Sequence, residues 1–113
     1  MKMFRKEEGF TLVELMVVVL IIGILVAVAI PVFNAASATA RERTCQANQR
    51  TFEGAVEQYL AAAPANTNPA DLAAANAVLV PGYIKTALAC PSSGTYTWTP
   101  ATKQLTCSTH AHY

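Results

Sequence analysis

The chain has 113 residues, a formal net charge of +1 and a hydrophobic fraction of 53%. One long apolar run contains much of this hydrophobic content, so we expect the remainder to form at most one small domain. The sparse, balanced charge gives no strong basic patch, which disfavours a protein whose main task is to bind nucleic acid.

A short basic segment, residues 1–9, opens the chain. It contains Lys2, Arg5 and Lys6 and ends at Gly9. A secretory signal has its cleavage site after an apolar core, whereas here the small residue precedes the apolar run. Cleavage after Gly9 would therefore leave the apolar segment on the product. Basic residues that flank a membrane helix stay cytoplasmic, so we expect a cytoplasmic N-terminus with the C-terminal part outside.

Residues 10–33 form the apolar run, FTLVELMVVVLIIGILVAVAIPVF. As a helix this segment would be about 36 Å long, enough to cross a hydrocarbon core of about 30 Å. The alternative is the core helix of a soluble protein, but the remaining residues are too few to cover it on all sides. We therefore predict a single-pass helix in the cytoplasmic membrane. Gly23 and Pro31 weaken its hydrogen-bond ladder and are candidate points of helix loosening.

Glu14 is the one charged residue inside this run. A charged side chain in the bilayer costs about 2.5 to 3.5 kcal/mol on insertion scales. We therefore expect a positively charged group to pair with Glu14. Cleavage after Gly9 would create a positive amine at Phe10, one helical turn away. Two opposite charges about 4 Å apart attract by about 4 kcal/mol at an effective dielectric constant near 20. This amine is therefore a candidate partner of Glu14; the alternative is that the carboxylate reaches the membrane edge.

Residues 34–63 continue as an amphipathic helix. Its predicted apolar stripe has spacings of three and four residues and consists of Cys45, Gln49, Phe52, Val56, Tyr59, Leu60 and Ala63. Glu53 and Glu57 lie off the stripe and are interpreted as part of a solvated face. A catalytic carboxylate pair is disfavoured because no supporting constellation accompanies them. We expect neither an enzyme nor a cofactor.

Residues 64–113 are predicted to form a small globular head. Pro64 ends the long helix, and Asn68 is the expected N-cap of a short helix that ends near Ala77. The segment TYTWTPATKQLTC has the alternation of a β-hairpin with a turn over residues 100–103. Its Tyr96, Trp98 and Leu105 are expected to face the long helix. The predicted fold class is thus α+β, a long N-terminal helix packed against a small antiparallel sheet.

Cys45, Cys90 and Cys107 all lie outside the apolar run, where an oxidising compartment favours disulfides. The preferred pair is Cys90 with Cys107, since these flank the hairpin; Cys45 remains an alternative partner for either. No CxxC spacing is present, so no metal site is predicted. His110 and His112 are interpreted as part of an exposed terminus, and their role stays open, as does that of Cys45.

The sequence GFTLVEL from Gly9 to Leu15, followed by an apolar run and Pro31, resembles the type IV prepilin signature. Proteins of this family are pilins, competence-pilus pilins and type II secretion pseudopilins. The resemblance implies that a prepilin peptidase cuts between Gly9 and Phe10 and methylates the new amine of Phe10. It also implies a subunit that leaves the bilayer and polymerises with its own copies, through a membrane assembly platform and motor, into an extracellular or periplasmic filament. In such a filament Glu14 is expected to meet the Phe10 amine of an adjacent copy and so to fix the register between subunits.

Such a filament would serve adhesion, motility or DNA uptake. One alternative is the major pseudopilin of a type II secretion system, which shares the N-terminal signature. Another is a minor subunit that binds DNA or a surface ligand. Beyond the long helix the only basic residues are Lys85 and Lys103, which disfavours a strong phosphate-binding patch.

Overall fold

The computed structural model describes residues 9–113, which belong to two compact units, one ending at Ser37 and the other beginning at Ala38. In chain order the elements are helix α1 (Leu12–Ala62), helix α2 (Leu72–Leu79), strand β1 (Tyr96–Thr99) and strand β2 (Gln104–Cys107). The strands form an antiparallel pair. A long apolar helix with a small antiparallel sheet confirms the predicted α+β, pilin-like class.

The first unit contains the N-terminal part of α1. The helix runs without interruption through Gly23 and Pro31, so the loosening predicted at these residues stays a prediction about another state of the protein. Its large apolar side chains from Leu12 to Phe33 are all exposed. The helix is long and apolar enough to cross a membrane, and none of its most apolar window is buried within the chain. The predicted basic residues Lys2, Arg5 and Lys6 lie outside the described residues.

The core of the second unit forms where α1 meets the hairpin. The buried residues of α1 are Cys45, Gln49, Phe52, Ala55 and Val56. Four of these belong to the predicted stripe; its other members are Tyr59 and Leu60, which are partly buried, and Ala63, which lies beyond the end of the helix. Along the strands, Trp98 pairs with Leu105 across the register, and both side chains are buried. The Trp98 ring meets Phe52 edge to face, with 5.4 Å between centroids. The alternating strand pattern therefore places its apolar side on α1, as predicted.

The prediction of Asn68 as the N-cap of the short helix is wrong. The cap is Asp71, whose carboxylate accepts a hydrogen bond from the Ala74 N–H at 2.7 Å. Asn68 instead donates to the Pro100 carbonyl at 2.7 Å, and the Pro69 carbonyl accepts from Trp98 Nε1 at 2.9 Å. These tertiary bonds hold residues 68–70 outside the helix, so it starts one residue after the aspartate.

The interpretation of Glu53 as part of a solvated face is also wrong. Only 13% of its side chain is exposed, and its Oε1 accepts the Leu105 N–H at 2.8 Å. His112 Nε2 lies 2.7 Å from the same oxygen, and the Tyr113 hydroxyl donates to Oε2. The C-terminal residues thus fold back onto α1. Glu57 does remain exposed, with a surface ion pair to Lys103.

Candidate functional site

The N-terminal end of α1 carries the residues that the sequence singled out for processing and assembly. Gly9 and Phe10 precede the helix and are exposed. Thr11 is followed three residues later by Glu14, and each side chain satisfies the other's backbone. The Glu14 N–H donates to Thr11 Oγ1 at 3.1 Å, and the Thr11 N–H donates to Glu14 Oε2 at 3.2 Å. This is a capping box, which satisfies two amide groups that a helix start leaves unpaired.

The capping box gives the Glu14 carboxylate a local partner. One oxygen is bonded to the chain's own backbone, and the side chain as a whole is exposed. The carboxylate also lies at the positive end of the helix dipole, which stabilises a negative charge there. Glu14 is therefore held in a defined position with acceptor capacity to spare, close to the end of the chain that cleavage after Gly9 would create.

Apolar side chains surround Glu14 on every side of the helix. Leu12, Val13, Leu15 and Met16 are 58% to 76% exposed. A shallow groove between neighbouring side chains from Val13 to Leu20 is almost wholly apolar. An exposed apolar surface of this extent is typical of a site that contacts a membrane or another protein. Gly23 and Pro31 lie further along the same exposed helix, and a Cβ added at Gly23 would contact nothing within the chain.

A second group of functional side chains lies in the C-terminal unit. Cys90 and Cys107, the predicted disulfide pair, lie close together, but their sulfurs are 3.6 Å apart and both thiols are free, so the disulfide stays a prediction. Cys45 and His110 join them. All four potential ligand atoms lie within 4.8 Å of one another. His110 Nδ1 is 3.5 Å from Cys90 Sγ, while His112 is bonded elsewhere, to Glu53.

The electrostatic environment differs between the thiols. Burial raises the pKa of Cys45 to about 11, although the hydrogen bond from the Tyr96 hydroxyl opposes this. Burial also raises the pKa of Cys107, but hydrogen bonds from the backbone N–H groups of Thr109 and His110, and from the other thiols, lower it to about 6. The surroundings thus favour a thiolate at Cys107. Burial and the neighbouring Cys45 raise the pKa of Tyr96, which keeps its hydroxyl a donor.

Sequence reasoning missed this convergence of four side chains. One signal was present, since Cys107-Ser-Thr-His110 has a C-x-x-H spacing, which places two ligands on one tight turn. The other two members, Cys45 and Cys90, lie far away in sequence. No short sequence motif contains Cys45 and Cys90. They come close to Cys107 and His110 only because the hairpin packs on α1.

Comparison with known proteins gives two similarities. Residues 4–30 match a family model described as the prokaryotic N-terminal methylation motif. Over 58 residues, which are 51% of this chain and 57% of the other, the sequence is 38% identical to the competence protein ComGC of Halalkalibacterium halodurans. The matched part is thus little more than half of that relative's length. No solved structure matches the chain significantly.

Proposed function

We propose that the chain is a type IV pilin-like structural subunit of an extracytoplasmic filament, and the match of its N-terminal residues to the methylation motif supports this. It is cleaved after Gly9, methylated at Phe10 and assembled through its N-terminal helix. The observation that carries this proposal is an apolar helix whose most apolar window is entirely unburied within its own chain and whose start holds a defined carboxylate.

Two different environments cover the exposed apolar side chains of the helix in succession. Before assembly, the lipid bilayer covers its apolar side chains, with residues 10–33 as the single membrane pass. After assembly, the same side chains of adjacent copies cover one another, which keeps them out of water. A homopolymer therefore satisfies this surface without any other protein in the filament. A prepilin peptidase, an assembly platform and a motor are the partners that the family implies for the transfer.

Glu14 determines the axial offset between subunits during that transfer. Its carboxylate is held by the capping box within one helical turn of the amine that cleavage would give Phe10. Because the carboxylate has free lone pairs, it can accept from the amine of a neighbouring copy while it still caps its own helix. An axial offset between subunits that satisfies both groups is then preferred over other offsets, since an unpaired charge in an apolar filament core is costly.

The similarity to a competence protein favours DNA uptake as the task of the filament, beside adhesion and motility. A type II secretion pseudopilin remains the alternative within the family, because the N-terminal features are common to both. A minor subunit that binds DNA directly is less well supported. Beyond α1 the basic side chains are Lys85 and Lys103, and Lys103 already pairs with Glu57 at 3.1 Å.

Imaging of the cell surface with an antibody against residues 64–113 tests the proposal. Long labelled filaments are expected, and label confined to the envelope would favour the pseudopilin. Subunits sheared from the cells should begin at a methylated Phe10 by intact mass and N-terminal fragmentation. Gly9→Val should abolish both cleavage and filaments. The matched control Gly54→Ala should retain both, because a Cβ at Gly54 meets nothing within 4 Å. Filaments built from uncleaved subunits would refute the proposal.

A further inference from the structure

We propose that Cys45, Cys90, Cys107 and His110 bind a structural Zn²⁺ ion in the C-terminal unit. Their ligand atoms already lie within 4.8 Å of one another. Three sulfurs and one imidazole nitrogen are a ligand set of structural zinc sites. All four positions are filled by protein, which leaves no open coordination position for a substrate and points to a structural and not a catalytic ion.

The distances between the ligand atoms suit a shared ion. Zinc–sulfur bonds of about 2.3 Å in a tetrahedron place two sulfurs about 3.8 Å apart, and a sulfur and a nitrogen about 3.6 Å apart. Cys90 Sγ lies 3.6 Å from Cys107 Sγ and 3.5 Å from His110 Nδ1. A disulfide instead requires a sulfur separation of about 2.05 Å.

Neighbouring groups orient the ligands as they do around known metals. The second nitrogen of His110, Nε2, lies 3.5 Å from Ser92 Oγ, so Nδ1 is left to face the sulfurs. The Tyr96 hydroxyl donates to Cys45 Sγ at 3.5 Å. Backbone N–H groups of Thr109 and His110 bond to Cys107 Sγ. Donors of this kind stabilise sulfur ligands that carry negative charge.

Gly94 lets the backbone approach the sulfurs closely. A Cβ at this position would lie 2.7 Å from Cys107 Sγ and 3.1 Å from Cys90 Sγ. It would also lie 2.3 Å from Thr109 Oγ1. Any side chain at this position would therefore displace the sulfurs or the turn that carries His110. A glycine here is a steric requirement of the cluster, whichever bond the sulfurs form.

The ion would join three distant parts of the chain. Cys45 lies on α1, Cys90 on the segment between α2 and β1, and Cys107 ends β2 with His110 just beyond it. The buried core of this unit is small, and domains of this size commonly use a metal or disulfides to become stable. Zinc would displace the thiol protons and couple its binding energy to folding. Burial of Cys45 and Cys90 limits access of oxidants to the thiols.

Metal analysis of the full chain tests the proposal. The protein is purified in detergent under anaerobic, reducing conditions, equilibrated with Zn²⁺ and desalted, and its metals are measured by mass spectrometry. About one zinc per chain is expected. Exchange with Co²⁺ should give the intense visible bands and the thiolate-to-metal charge-transfer absorption of a tetrahedral site. The wild-type spectrum needs no substitution, so it is informative even if a variant does not fold.

Two variants and a matched control assign the ligands. Cys45→Ser and His110→Gln should each lose tight zinc binding, whereas His112→Gln should bind as well as the wild type, because His112 contacts Glu53 and not the sulfurs. Equal losses at both histidines would show adventitious binding and overturn the proposal. So would a Cys90–Cys107 disulfide in protein alkylated directly from cells and digested without reduction. Stoichiometric iron or copper in place of zinc would overturn the choice of metal.

Discussion

Glu14→Gln separates the two tasks of the carboxylate, helix capping and charge pairing. A glutamine at the third helical position also completes a capping box. The variant should therefore keep the bonds at 3.1 Å and 3.2 Å that Thr11 and Glu14 exchange. It loses only the negative charge. We expect cleavage after Gly9 to continue and assembly to fail.

The size of the effect follows from the charge pair. A carboxylate and an amine about 4 Å apart contribute about 4 kcal/mol at an effective dielectric constant near 20. Loss of this attraction weakens each subunit contact by about 1,000-fold, since about 1.4 kcal/mol is a factor of ten. The matched variant Thr11→Ala removes the cap, which costs about 1 kcal/mol, but keeps the charge. It should assemble at close to the wild-type level.

The assay compares filament yield with subunit processing. Sheared surface filaments are counted by electron microscopy, and processed subunit in the membrane is measured by immunoblot in the same cells. Glu14→Gln should give normal processed subunit and few filaments. Abundant filaments in Glu14→Gln, or an equal loss in Thr11→Ala, would refute the charge-pair argument and leave capping as the main task of Glu14.

Three further changes probe the C-terminal unit. Leu105→Ala removes a fully buried side chain and should lower the free energy of unfolding by about 3 kcal/mol, measured by urea titration in detergent. Trp98→Phe leaves the Pro69 carbonyl without its 2.9 Å hydrogen bond and should cost about 1 to 3 kcal/mol, followed by circular dichroism because the fluorophore is lost. Burial by itself would raise the pKa of the Glu53 carboxyl. Hydrogen bonds from Tyr113, His112 and Leu105 outweigh this effect, so the pKa of Glu53 lies below its ordinary value. Because its pKa is lower in the folded state, Glu53 should stabilise the fold above about pH 4.3 and lose this contribution in more acidic solution. Glu53→Gln should therefore lower the free energy of unfolding at neutral pH. It should also reduce the loss of stability below about pH 4.3 when the free energy of unfolding is measured against pH.

Each of these expectations can fail in a specific way. An unfolding midpoint unchanged by Leu105→Ala would mean that the hairpin does not pack on α1 in solution. An unchanged stability of Trp98→Phe would mean that the indole bond to Pro69 contributes nothing. Identical acid limbs for wild type and Glu53→Gln would exclude Glu53 as the group that titrates.

Local sequence patterns predicted the elements and their buried faces. The period of α1 identified Phe52 and Val56 as core residues, and strand alternation identified Trp98 and Leu105. Both patterns work because side-chain direction repeats at a fixed interval along each element. The same argument does not extend to polar partners. A charged residue off the stripe is exposed unless another segment covers it, and the segment that covers Glu53 comes from the far end of the chain.

The thiol–histidine cluster illustrates the same limit. Each cysteine could be interpreted only through its neighbours in sequence, which suggested a pair around the hairpin and left Cys45 and His110 unexplained. Their convergence depends on the angle at which the hairpin packs on α1 and on the turn after β2. The sequence does contain the Thr11 and Glu14 pair of a capping box. The interpretation of the carboxylate rests on its membrane cost and on a charge partner, and neither argument indicates this local task.

The capping box also bears on where a peptidase can act. Helical backbone is a poor protease substrate, because its amide groups are already paired and the chain must be extended to enter a cleft. By starting the helix at Leu12, Thr11 and Glu14 leave Gly9 and Phe10 in non-helical, exposed backbone. If the peptidase acts after Gly9, the cap fixes how many residues separate the scissile bond from the first residue of the helix. A helix lengthened by one turn towards the N-terminus would then protect the bond without any change at Gly9.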